Sequence, residues 1–138
     1  VGNISSGNVA VLLGNGNATF SAGASSFPSG GIWPQSVVIG DLNGDGREDA
    51  VTVLSSSSGG PEVVLSLEMF RNAAGSPSHA ARYVIGDRVG IDSVTIERQI
   101  IHLYIITPGP GDSVCCPTMH GSRKLQYQNG KLAELNAP

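Results

Sequence analysis

Between Gly40 and Ala50 the chain reads GDLNGDGREDA, with oxygen-bearing side chains at Asp41, Asn43, Asp45 and Asp49 and glycines at 44 and 46. Counted from Asp41, these are positions one, three, five and nine, and the main-chain carbonyl of Arg47 falls at position seven. Spacing of this kind can wrap a hard cation, and calcium takes about six to eight oxygens in irregular geometry. The candidate ligands are therefore Asp41, Asn43, Asp45, the backbone carbonyl of Arg47, and Asp49, completed by water, with Ca2+ as a structural cofactor. Gly46 permits the sharp reversal and Gly44 eases backbone crowding. Three carboxylates this close repel one another without a cation between them. The plainer alternative is an acidic surface turn that holds no ion. An EF-hand does not fit, because its twelfth position needs a bidentate Glu and here is Thr52, and because both flanks, SVVIG and DAVTVL, read as β.

The second chemical feature is the adjacent pair Cys115 and Cys116, the only cysteines in the chain. Such a pair can close a vicinal disulfide, bond to other chains, or stay as two packed thiols. An exported chain with two cysteines favours the vicinal disulfide. Zinc held by Asp112, Cys115, Cys116 and His120 is disfavoured, since adjacent cysteines rarely aim both sulfurs at one metal. A Cys–His nucleophile lacks any recognisable surrounding signature. His79 reads as a loop residue and His102 as a packed histidine inside an apolar strand. Trp33 and Phe27 read as core, with a sugar-stacking shelf as the alternative. Asn3 and Asn17 open glycosylation sequons, which matter only in an exported protein. No GxSxG, HExxH or phosphate-loop motif is present.

The elements that must position these residues are strands. Short runs rich in Val, Ile, Leu and Tyr, broken by Gly, Ser, Asn and Pro, predict strands at 8–13, 36–40, 49–54, 62–70, 81–85, 91–97, 100–107, 122–127 and 131–135. Alternation in 62–70 sets Val63, Leu65, Leu67 and Met69 against Glu62, Ser66 and Glu68, the pattern of a half-buried strand. Segment 100–107 is apolar on both faces and belongs at the centre of a sheet. Asn129-Gly130 predicts a tight hairpin, and Glu97-Arg98-Gln99 a second turn. No window has helical periodicity. With 138 residues, 14% charged and a net charge of −3, the chain is one domain with no electrostatic case for nucleic acid. No apolar run is long enough for a membrane-spanning helix. The chain opens on Val1 rather than Met, consistent with a removed leader, and no segment reads as a signal peptide.

VAVLLGNGNATF followed by SVVIGDLNGDGREDAVTVL resembles the FG-GAP or VCBS type of repeat over about 8–54, found in integrin-like propellers and bacterial surface proteins. The resemblance implies calcium in the DxNxDGxxD loop. A propeller needs several blades, and only one such unit is present. The stretch YVIGDRVGIDSV to CCPTMHGSRKLQYQNGKLAEL, about 81–135, resembles a segment of bacterial secreted proteins and lipoproteins of undefined function, in which a GDLNGDG stretch lies upstream. Together these imply one β domain over 1–138 with its core at 36–135. The N-terminal stretch, 1–13, with its Gly/Ser/Asn lead-in as a hinge, can add as a strand to a neighbouring copy, or else forms the first strand of its own fold. The fold expected is all-β: a meander-rich antiparallel sandwich or partly open barrel of eight to ten strands with one strand-flanked calcium loop. The function expected is a non-enzymatic extracellular or cell-surface structural module acting in adhesion or self-assembly, a filament subunit joined by β-strand addition being one form of it, with itself, other surface proteins or glycans as partners. A carbohydrate-binding module is the alternative, and a Cys/His-dependent enzyme ranks below it.

Overall fold

The computed structural model describes residues 2–3, 8–11, 25–28, 33–57, 63–73, 76–113 and 115–135. These form strands β1 (Gly2–Asn3), β2 (Asn8–Val11), β3 (Ser25–Pro28), β4 (Trp33–Gly40), β5 (Asp49–Ser57), β6 (Val63–Ala73), β7 (Ser76–Asp87), β8 (Gly90–Glu97), β9 (Ile100–Thr107), β10 (Met119–Gln128) and β11 (Lys131–Leu135), with no helix among the described residues. Three antiparallel sheets result, ordered β1-β2-β3, β4-β5-β6-β7 and β11-β10-β9-β8. The two four-stranded sheets are simple meanders, each strand lying beside its neighbours in sequence, and neither closes into a barrel. The expected all-β, meander-rich antiparallel architecture is what these sheets form, with no closed barrel.

One apolar core lies between these two sheets. Val51, Val53, Leu65, Leu67, Met69, Ala81 and Ile85 project from the first sheet and Val94, Ile101, Leu103, Ile105, Leu125 and Leu132 from the second. The period-two spacing within each strand is what sends these side chains to one face. Strand β9 is central, as its composition predicts, yet only its 101, 103 and 105 face is fully buried. Its other face is partly open, so a continuous apolar run here marks a central position without two-sided burial.

Strand β6 departs from expectation in the opposite direction. Leu65, Leu67 and Met69 enter the core as alternation requires, but Ser66, Glu68 and Phe70 on the other face are buried as well. Ser66 Oγ donates to Glu68 Oε1 at 3.3 Å, Arg82 Nε donates to the same oxygen, and His79 Nε2 lies 2.7 Å from Glu68 Oε2. His79 is thus no loop residue: it stands in β7 opposite Phe70 and packs edge-on against that ring. A polar face can be buried when every charge on it meets a partner.

Two hairpins share one turn geometry. Gln128 pairs with Lys131 across Asn129 (φ 50°) and Gly130 (φ 78°), and Glu97 pairs with Ile100 across Arg98 (φ 51°) and Gln99 (φ 66°). Both turns have the two positive-φ central residues of a type I′ turn, which matches the twist of the flanking strands. The apolar part of the N-terminal stretch, β2, pairs within its own chain, Val9 with Phe27 and Gly2 with Val9. Trp33 lies in β4 and Phe27 in β3, placed here by backbone pairing alone.

Candidate functional site

The oxygen-rich segment 41–48 joins β4 to β5, adjacent antiparallel strands paired from Gly40↔Asp49 inward. Local sequence explains its shape. Gly44 and Gly46 adopt φ of 77° and 83°, a region that costs a side-chain-bearing residue energy. Between them the acidic and amide side chains fold onto loop amides. Gly44 N–H donates to Asp41 Oδ1 (2.8 Å) and Gly46 N–H to Asp41 Oδ2 (2.9 Å). Asp45 N–H donates to Asn43 Oδ1 (3.2 Å), Arg47 N–H to Asp45 Oδ1 (2.8 Å), and Asn43 Nδ2 to Asp45 Oδ2 (3.2 Å). The Arg47 amide, ahead of the Asn43 contact, holds the Asp45 carboxyl below its ordinary value.

Asp49 differs from the others in being 1% exposed. Its Oδ2 accepts Leu42 N–H (2.9 Å) and its Oδ1 accepts Asn72 N–H (3.0 Å), so it clamps the start of the loop to the end of β6. Leu42, also 1% exposed, drops its side chain into the core shared by both sheets. The ligand spacing of the loop assigns Leu42 no role. Its signal was present: it is the one apolar residue among polar ones from 41 to 49. The second sheet also meets this end of the sandwich, since a Cβ at Gly40 would lie 2.7 Å from Ile96 Cγ2 and one at Gly44 3.1 Å from Gln99 Nε2.

The donor set of the loop is made of hard oxygens only: carboxylates of Asp41, Asp45 and Asp49, the amide oxygen of Asn43, and the Arg47 carbonyl. That chemistry fits calcium and not a soft transition metal. In the described form the side-chain oxygens of Asp41, Asn43, Asp45 and Asp49 accept from amides, and among the described residues no group of three or more His, Cys, Asp or Glu side chains is arranged to hold a metal ion. Carboxylate oxygens that accept one hydrogen bond keep a further lone pair for a cation.

Residues 1–52 match the family model for an FG-GAP-like repeat. The FG-GAP-like stretch covers less than half of the chain, contains the whole 41–49 loop and ends within β5. FG-GAP-like repeats are structural rather than enzymatic units, typical of extracellular and surface proteins, and often mediate protein interactions. The match does not extend to the 81–135 segment. No curated protein and no solved structure matches the chain. No helix of the described residues is long and apolar enough to cross a membrane.

The 108–118 connection between β9 and β10 is organised by a residue that sequence reasoning weighed only for zinc. Asp112 Oδ2 accepts Gly109 N–H (2.6 Å) and Thr118 N–H (2.8 Å), and both its oxygens accept the Thr118 hydroxyl. The Gly109 amide, chiefly, with Thr118, lowers the Asp112 carboxyl below its ordinary value. Cys115 and Cys116 are joined in a vicinal disulfide, which leaves no thiolate for zinc. Between the sheets, Arg123 Nη1 donates to Tyr83 Oη (3.1 Å) and to the Ile85 carbonyl (3.0 Å), while the Tyr83 hydroxyl donates to Glu134 (3.1 Å). Burial is the main cause that raises the Tyr83 hydroxyl above its ordinary value, keeping it a donor. His102 pairs in register with Thr95 and Lys124 in β9, half-buried on the outer face. The sequon at Asn17 lies outside the described residues, and Asn3 enters only through the backbone pairing of β1.

Proposed function

We propose that this chain is a non-enzymatic extracellular or cell-surface module whose 41–49 loop is locked by Ca2+ and which acts in adhesion or self-assembly. Asp41, Asn43, Asp45, the Arg47 carbonyl and Asp49 would hold the ion, and the ion supplies the positive charge that three neighbouring carboxylates lack. The observation carrying the reading is the continuity of this loop with an outer strand that exposes branched apolar side chains. Strand β4 is the outermost strand of its sheet and runs directly into Asp41. It presents Val37 (37% exposed) and Ile39 (62% exposed). The opposite edge strand, β7, presents Val84 (57% exposed). Edge strands with exposed branched apolar side chains are templates for association. A cation that fixes the β4–β5 loop therefore also fixes the edge that another surface would meet.

Two measurements on the full chain test the two halves of this reading. Heating with millimolar calcium and with excess chelator should give midpoints that differ, by an amount that grows with free calcium as about 2.7 kcal/mol at one hundred times the dissociation constant. Asp45→Ala should abolish the difference. Equal midpoints in calcium and chelator would remove the cation from the account. Sedimentation and electron microscopy should show assemblies that disperse on chelation and in Ile39→Lys. A monomer under every condition would end the self-assembly reading and turn attention to a heterologous surface partner or glycan.

A further inference from the structure

The register of the two sheets puts the 108–118 connection at the end of the sandwich opposite the 41–49 loop, beside the β7–β8 crossover. Asp112 already fixes its shape through Gly109 and Thr118, and Cys116 N–H closes a turn on the Ser113 carbonyl at 3.2 Å. The Cys115–Cys116 bond links neighbours whose Cα atoms are 3.8 Å apart. A disulfide stabilises mainly by restricting the unfolded chain, and a ring of two residues restricts it little. The bond thus contributes little to holding a loop that has another scaffold.

Its surroundings suit chemistry instead. Both cysteines are exposed, open to a small reagent. The Ser113 hydroxyl lies 3.1 Å from Cys115 Sγ. A disulfide sulfur carries no proton, so the hydroxyl is the donor. A donor at that sulfur stabilises the thiolate formed there when the other sulfur is attacked, and a better leaving thiolate leaves faster.

We propose that Cys115–Cys116 is a reversible thiol-exchange site for low-molecular-weight thiols, with Cys116 Sγ the sulfur attacked and Cys115 the leaving thiolate. A thiolate RS⁻ bonds to Cys116 Sγ, and the electron pair of the protein disulfide passes to Cys115 Sγ, which then takes a proton from solvent. A second thiolate attacks the RS sulfur of the mixed disulfide, and Cys116 leaves as a thiolate that is protonated in turn. In total two RSH are oxidised to RSSR, and the protein disulfide gains two electrons and two protons. The site is independent of the cation loop and would stand if that reading fell.

The native 138-residue chain, incubated with reduced and oxidised glutathione at fixed ratios, acid-quenched, alkylated and weighed, tests this directly. Reduced mixtures should add two alkyl groups and oxidised mixtures should remove that reactivity, with the far-ultraviolet circular dichroism unchanged. Ser113→Ala should be reduced roughly three- to tenfold more slowly, the loss of one hydrogen bond to the leaving sulfur. The proposal is overturned by two alkyl groups before any thiol is added, by reduction only after the chain unfolds, or by Ser113→Ala reacting at the native rate.

Discussion

Asp49 Oδ1 accepts the Asn72 N–H at 3.0 Å across 23 residues of sequence, from a carboxylate that is 1% exposed. With the Leu42 amide on its other oxygen, Asp49 joins the beginning of the loop, the start of β5 and the end of β6. Asp49→Ala removes the acceptor for two amides in a buried setting. It should cost about 2–3 kcal/mol, read as a lower urea midpoint with an unchanged slope. Asp45→Ala, on an exposed carboxylate, should cost far less in the absence of calcium. Equal losses from the two substitutions would show that Asp49 is no special clamp.

Acid should loosen the two polar loops together. The folded-state carboxyls of Asp45 and Asp112 both lie below the ordinary value of 3.8. A depressed folded pKa contributes stability that is fully present above the unfolded value and is lost as pH falls through the folded one. The loss should therefore begin near pH 4 and continue below it. Thermal midpoints between pH 7 and pH 2 check this, and Asp112→Asn should flatten the acid limb. A variant as acid-sensitive as the native chain would place the titration elsewhere.

Gly40 allows the two sheets to meet. The Cβ of an alanine there would lie 2.7 Å from Ile96 Cγ2 and 3.1 Å from Ile96 Cβ. Overpacking of this kind costs about 1–3 kcal/mol. Ile96→Ala removes the nearer methyl, so Gly40→Ala should cost measurably less in that background. A double-mutant cycle with no coupling would rule out the clash as the cause.

The β8–β9 turn holds Arg98 and Gln99 at positive φ, where side-chain-bearing residues are disfavoured by roughly 1–2 kcal/mol each. Arg98→Asn with Gln99→Gly supplies the residues this turn prefers and should raise the thermal midpoint by a few degrees, about 1 kcal/mol. A lowered midpoint would mean that the Gln99 side chain, which lies over Gly44, stabilises the 41–49 loop more than its own turn strains the backbone.

These particulars show what sequence alone conveys. Asn129-Gly130 announced its hairpin because the turn demands residues tolerant of positive φ, and the oxygen-bearing loop announced itself by spacing. The apolar pattern predicts a strand only at 81–85, whereas β7 runs from 76 to 87, because Ser76 to Ala80 have little intrinsic strand preference and are ordered by pairing with the far end of β6. Alternation along 62–70 places Glu68 on the solvent-facing side. Its burial depends on Arg82 and His79 arriving from β7, which no local pattern in β6 reveals. Spacing groups Asp49 with its neighbours as a candidate ligand, and only the fold brings Asn72 to it.

The two four-stranded meanders carry a consequence for how the chain reaches this state. Every ladder in them, β4 through β7 and β8 through β11, links strands adjacent in sequence, and only the face-to-face packing of one sheet on the other spans larger separations. Sandwiches built on crossed connections must close long loops before their pairings repay the entropy. Here each hairpin can form on the one before it. The slow event should then be the docking of the two sheets around Leu42, Leu67, Ile101 and Leu103, and refolding should be fast for an all-β chain, which stopped-flow fluorescence would check.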